Sequence, residues 1–226
     1  MKPEVESSLL LKLKAHRPER AGAGPDRVSS TGCSTAVRLQ TKTSLSSNES
    51  FVSVDVETAG PNPSQYSLLS IGACLVVDPQ RGFYVELQPV NDDALPEALA
   101  ISGLALAELA EHGLPPAEAL ARFEDWLAEV VPSEQQPVFV GFNAPFDWMF
   151  VNDYFHRFLG RNPFGHTALD LKAFYMGLTG ARWAETGMGH VAARYLGGRP
   201  LSHHALRDAQ DQAELFQKML VEAAIW

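Results

Sequence analysis

The run Phe51-Val-Ser-Val-Asp-Val-Glu57 constrains this chain more than any other segment. Its alternation has a period of two, the period of a strand and not of a helix. Val52, Val54 and Val56 then share one face, and Ser53, Asp55 and Glu57 share the other. The valine face calls for a core. The opposite face carries two acids that repel one another unless something positive lies between them. Taken alone, an Asp-x-Glu pair is more often a solvated strand face. This strand is the first of the ordered part, however, and first strands in helix-covered sheets tend to be central, where such a pair is odd as mere surface.

The rest of the chain is patterned around that strand. Residues 60–63, Gly-Pro-Asn-Pro, form a loop, residues 66–77 read as a second strand and residues 83–87 as a third. The short connections predict an antiparallel meander. Residues 96–101 read as a short helix and residues 115–131 as a longer one, with Leu120, Phe123, Leu127, Val130 and Val131 as its apolar stripe. Residues 137–142 form a short buried strand. Asn143 is expected to cap the next helix, which has Pro145 near its first turn and runs to about Leu159. Residues 167–170 are a short strand, Asp170 caps a helix through Tyr175, residues 190–196 form another, and the last helix covers about 204–224. Three strands followed by alternating helices and strands predict an α/β fold with a mixed sheet flanked by helices.

Residues 1–48 are read as a disordered tail, because residues 27–50 are rich in Ser and Thr and lack a sustained apolar period. The folded domain is expected to span 49–223. Charge follows the same division. Residues 1–50 carry eight basic and five acidic residues, and the remainder carries 10 basic and 22 acidic, a balance of −12. Affinity for duplex phosphate comes from Lys and Arg, so this balance argues against a nucleic-acid coat protein. It leaves room for an enzyme whose bound divalent metals reverse the local sign. No run approaches the ~20 apolar residues of a membrane helix. The two cysteines, Cys33 in the tail and Cys74 in an apolar run, make no framework, which suggests a reducing, cytoplasmic setting.

Two further acids stand out. Asp147 follows a buried strand in Phe142-Asn-Ala-Pro-Phe-Asp147; by itself it reads as a first-turn acid complementing a helix dipole. Asp208 sits among Ala205, Leu206, Ala209 and Ala213 on the last helix, a setting that favours a cleft over open water. Four residues before it, His204 belongs on the same helical face. His203 falls on the entering loop, from which it can reach over a site floored by Asp208. A histidine titrating near neutrality suits a base that deprotonates water.

Together Asp55-x-Glu57-Thr58-x-Gly60, Asn143-Ala-x-Phe146-Asp147 and His203-x-x-x-x-Asp208 resemble the three motifs of the DEDDh 3′→5′ exonucleases, which include the DNA polymerase III epsilon subunit, ribonuclease T and oligoribonuclease. Ala59, where many members have a second threonine, and Phe142, where histidine is common, depart from the pattern. The resemblance spans nearly all of residues 51–220. It implies a ribonuclease H-like domain in which Asp55, Glu57, Asp147 and Asp208 hold two Mg²⁺ or Mn²⁺ and His203 is the general base. The implied substrates are 3′ ends of single-stranded DNA or RNA, with nucleoside 5′-monophosphates as products. Thr58, Ala59, Gly60, Asn143 and Phe146 are the implied substrate-binding residues, and a homodimer or a polymerase partner is compatible with the family.

For the aromatic pair Phe146 and Phe150, four apart on one helix, core packing is the simpler expectation. Arg182, Arg194, Arg199 and Arg207 are candidates for phosphate contact, although a solvated surface is the simpler expectation for most of them. Among rivals, a non-catalytic binding module on the same fold would lack a ligand or the base, and none is missing. A phosphatase with an aspartate nucleophile usually pairs two aspartates on its first strand, where this chain has Glu57.

Overall fold

A computed structural model of the chain describes residues 48–200 and 202–224. The expected tail lies outside these residues except for Asn48, and so does Cys33. The alternating run becomes strand β1, Glu49–Thr58, which pairs antiparallel with β2, Leu68–Leu75, itself antiparallel to β3, Gly82–Glu86. The meander is therefore as the short connections predicted. On its other side β1 runs parallel to β4, Gln136–Gly141, and β4 parallel to β5, Ala168–Asp170. The order β3-β2-β1-β4-β5 puts the acid-bearing strand at the centre of a five-stranded mixed sheet.

Helices cover both faces. Between β3 and β4 lie α1, Pro96–Ser102, α2, Leu106–His112, and α3, Pro116–Val130. After β4 comes α4, Ala144–Leu159, and after β5 come α5, Leu171–Thr179, α6, Met188–Tyr195, and α7, Ala205–Glu222. The valine face of β1 packs into a core with Leu120, Phe123 and Leu127 of α3 and Phe150, Tyr154 and Phe155 of α4. On the opposite face Phe51, Cys74 and Val140 meet α5, α6 and α7. Helix α2 had no counterpart in the sequence reading; it buries only Leu109, too little for an apolar stripe to show.

Two features bring the last helix close to the sheet. Ala205, Ala209 and Ala213 recur every four residues along one face of α7 and are fully buried. At Gly72, the β2 partner of Asp55, an added Cβ would lie 2.1 Å from the backbone of Ala205 and Leu206. Only a residue without a side chain lets the start of α7 lie there.

Because β1, β4 and β5 are parallel, their carboxyl ends share one edge of the sheet. Ligands of open α/β sheets bind outside such edges. The first turns of α4, α5 and α7 begin at that edge as well, and the site is assembled there.

Candidate active site

Asp55 and Glu57 project from β1 on the face that α7 covers. Along α7, Asp208, Gln212 and Phe216 are spaced by four and lie on one side of the helix. They meet β1 as a graded series. Phe216 packs edge-on against Phe51, with ring centroids 5.5 Å apart. One turn nearer the edge, the Gln212 Nε2–H donates to Asp55 Oδ1 at 2.6 Å. At the open end Glu57, His203 and Asp208 each offer a ligand atom within 4.8 Å of the others. The interface thus passes from apolar to polar to ionisable toward the sheet edge. Asp147, in the first turn of α4, joins from the other side: the Val56 backbone N–H donates to its Oδ1 at 3.1 Å.

All four acids of the motifs therefore converge, and Asp147 and Asp208 are only 4% and 2% exposed. Burial raises the pKa of Asp55 well above its ordinary value, and the charges of Asp147, Glu57 and Asp208 raise it further. Glu57 is pushed up to about 7, by burial and then by Asp208. Asp147 is raised by burial, against the lowering effect of its backbone donors. No Lys or Arg is among the largest causes of these shifts. Carboxylates so crowded and so little compensated form a donor set suited to hard divalent cations, which take oxygen ligands.

Asp208 does more than face the site. Its Oδ1 accepts from the Ser202 backbone N–H and hydroxyl, at 2.8 and 2.9 Å, and its Oδ2 accepts from the His203 N–H at 2.9 Å. Three of its roughly four lone-pair positions are used, and one on Oδ2 remains for a ligand. These bonds hold His203 in a left-handed conformation, φ 54°, with its side chain exposed. The first helical residue of α7 is Ala205, so His204 stands before the helix and not within its first turn. Its carbonyl accepts the Asp208 N–H at 3.0 Å, and its ring stacks on Tyr84 at 4.5 Å, away from the stacking with Asp208 expected on a shared helical face.

Beside the acids lies a cavity of about 310 Å³, bounded by Glu57, Thr58 and Gly60 of the β1 turn, Leu95 and Ile101 around α1, and Phe146. The Thr58 hydroxyl donates to the Gly60 carbonyl at 2.8 Å and closes the turn. Gly60 is pressed against the Tyr66 ring, where a Cβ would come within 2.4 Å of Cγ. Ala59 is fully buried in a separate cluster with Leu69 and Leu109 and does not line the cavity. Both phenylalanines pack on the core, with ring centroids 5.5 Å apart; Phe150 is fully buried, whereas Phe146 is half-buried and also lines the cavity.

Asn143 stands at the N-cap position of α4, but its side chain makes no capping bond. Its value there is conformational: φ is 63°, a left-handed geometry that asparagine tolerates better than most residues. Its side-chain oxygen instead accepts from Lys172 Nζ at 3.5 Å. Three of the four candidate phosphate contacts are spent on surface ion pairs, as the simpler expectation had it: Arg182 with Glu185, Arg194 with Glu222, and Arg199 with Asp211 and Glu214.

Gln212 was missed in the sequence. Its Oε1 accepts the Phe142 backbone N–H at 3.0 Å. That N–H can meet only an acceptor, which fixes the amide's orientation and turns its N–H toward Asp55. The only local signal was its spacing of four from Asp208.

The exonuclease family model RNase_T matches residues 52–216. The 3′-5′ DNA exonuclease Cap18 of Escherichia coli is 47% identical over 169 residues, covering 75% of this chain and 90% of that protein. The solved nuclease domain of 3′hExo, a DEDDh family member bound to rAMP, matches with a TM-score of 0.65 at 15% identity, over 80% of this chain and 96% of that one. Escherichia coli exonuclease I in complex with a 5cy-dT13 oligonucleotide matches with a TM-score of 0.59 at 18% identity, over 77% of this chain and 41% of that one. The two structures establish the ribonuclease H-like fold. A family match across most of the sequence, with near-half identity to a DNA exonuclease, makes the chain a member of the RNase_T exonuclease family and a 3′→5′ exonuclease.

Proposed function

We propose that the chain removes nucleotides from the 3′ end of single-stranded DNA, using two divalent metal ions and His203 as general base, and releases nucleoside 5′-monophosphates. The observation that carries this reading is the meeting of Glu57, His203 and Asp208 within 4.8 Å, next to a cavity sized for one small ligand. DNA is chosen over RNA because the relative at 47% identity is named a DNA exonuclease.

Asp55, Glu57, Asp147 and Asp208 would hold Mg²⁺ or Mn²⁺, which when bound supply the charge stabilisation that an in-line displacement at phosphorus needs. The chain's own residues do the rest. Phe146, Leu95 and Ile101 give the terminal base an apolar seat that tolerates any base. The Thr58–Gly60 turn sets the floor beside the sugar. Gln212 holds Asp55 through one carboxylate oxygen. His203, anchored through its backbone to Asp208, keeps its imidazole available to take a proton from the attacking water. The setting we assign is the reducing cytoplasm, consistent with the buried free thiol of Cys74.

The test is to incubate end-labelled single-stranded DNA and RNA with the protein and Mn²⁺ or Mg²⁺, with and without EDTA, and to resolve the products. Stepwise shortening from the 3′ end of DNA, abolished by EDTA and restored by metal, is expected. Full activity in EDTA would sink the metal mechanism, and equal or faster cleavage of RNA would move the substrate.

A further inference from the structure

We infer that Lys172 and Trp183 form a second nucleotide-binding subsite, a platform that stacks and steers the single strand leading up to the reactive 3′ end. This rests on the exonuclease reading above and extends the site beyond the terminal nucleotide.

Trp183 is 56% exposed and is the one aromatic among the exposed large apolar side chains of the described residues. It is nevertheless rigidly carried. The Arg182 N–H donates to the Glu185 carboxylate at 3.0 Å, the Glu185 N–H donates to the Arg182 carbonyl at 2.8 Å, and the two side chains pair across the turn. Thr186, fully buried, donates its hydroxyl to the Trp183 carbonyl at 2.8 Å. A large ring held out on a braced turn is not spent on packing and loses little freedom when a base stacks on it.

Lys172 supplies the charge. Its Nζ lies 4.4 Å from the Trp183 ring centroid and 3.5 Å from Asn143 Oδ1. It forms no ion pair among the described residues, whereas Arg157, Arg161, Arg182, Arg194, Arg199 and Lys218 all do. In a domain with a balance of −12, an ammonium left without a carboxylate at this edge is a matched partner for phosphate.

Its place in the fold fits a strand path. Lys172 follows Asp170 at the end of β5, which pairs in register with Gly141 at the end of β4. Asn143 lies one turn before Asp147. The terminal-nucleotide cavity lies on the opposite, β1 and α1, side of the acids. A strand with its last base in that cavity and its scissile phosphate over the acids is led across β4 toward Lys172 and Trp183. A ring face and an ammonium carry no base-edge code, so the subsite takes unpaired nucleotides of any sequence.

The test compares a fluorescein-labelled dT12 with the dinucleotide dT2, using wild type, Trp183→Ala, Trp183→Phe, Lys172→Ala and Lys172→Arg. Binding of dT12 is followed by anisotropy in Ca²⁺ as a function of salt, and KM is measured for both substrates in Mg²⁺. Trp183→Ala should weaken dT12 binding and raise its KM by roughly 5- to 150-fold, the range for one lost base–aromatic stack. The dT2 KM should rise much less, so the preference for the longer substrate collapses. Trp183→Phe should recover most of the loss. Lys172→Ala should flatten the salt dependence of dT12 binding by about one phosphate contact, and Lys172→Arg should restore it. The platform is overturned if Trp183→Ala binds dT12 like wild type, or if both substrates suffer equally. Wild-type protein that leaves both substrates intact would instead overturn the exonuclease reading itself, and the platform with it.

Discussion

His203 and His204 are neighbours in the chain yet are placed quite differently. The His204 ring is stacked on Tyr84, and its Nδ1 is buried without a hydrogen-bond partner. The His203 side chain is exposed, within reach of Glu57 and Asp208, and only its backbone is tied down. A positioned base typically contributes ~10²–10⁴-fold to rate. His203→Ala should therefore lower kcat by about that range with little change in thermal midpoint. His204→Ala should chiefly lower the midpoint, by removing a stacked pair that braces the loop. The check is kcat at saturating Mg²⁺ alongside a melting curve for each variant. An inactive His204→Ala beside a near-normal His203→Ala would reverse the assignment.

Among the elements, α7 decides whether there is a site at all. It carries Asp208 and Gln212 to β1, and it can do so because β2 offers no side chain at Gly72. Gly72→Ala forces a methyl group to within 2.1 Å of the α7 backbone, which neither strand nor helix end can absorb without shifting. Overpacking of a well-filled core costs about 1–3 kcal/mol or more. The variant should melt several degrees lower and lose turnover well beyond that loss of stability, since the shift separates Asp208 from Glu57. Differential scanning calorimetry and turnover measured well below the new midpoint test this. Wild-type turnover with an unchanged midpoint would mean that α7 does not seat on the sheet as described.

For the whole molecule the unbalanced acids couple folding to pH and metal. Glu57 has a folded-state pKa near 7, against about 4.3 for an unperturbed glutamate, and Asp55 and Asp147 are raised as well. The folded chain therefore holds more protons than the unfolded chain between those limits. Stability is full below the unfolded value and falls as pH rises through the folded one. Metal-free protein should melt at progressively lower temperature from pH 5 to pH 8. Saturating Mg²⁺ should reverse the trend, because ligand acids must be deprotonated to bind it. Melting curves across that range, with EDTA and with Mg²⁺, provide the measurement; a metal-free midpoint that rises with pH would contradict the burial of these charges. No helix among the described residues is long and apolar enough to cross a membrane.

What the sequence determined by itself was local. The period of two in β1, the apolar stripe of α3, Asp170 as the cap of α5 and the order of the three acidic motifs are all set by neighbours a few residues away. From them the α/β class and the central strand were legible, while the convergence of the four acids followed only from the resemblance of the motifs to the DEDDh exonucleases. Tertiary structure decided which partner each exposed or polar group meets. The Asp55–Gln212 bond spans 157 positions, and no periodicity encodes such a pairing. The same holds for Arg194 and Arg199, candidates for phosphate contact whose partners Glu222 and Asp211 come from the last helix, and for Lys172, which forms no ion pair among the described residues. Asn143 and His203 occupy left-handed turns that no hydrophobic period announces. A pattern of residues specifies which face is buried; the identity of what covers that face is settled only when distant elements close on it.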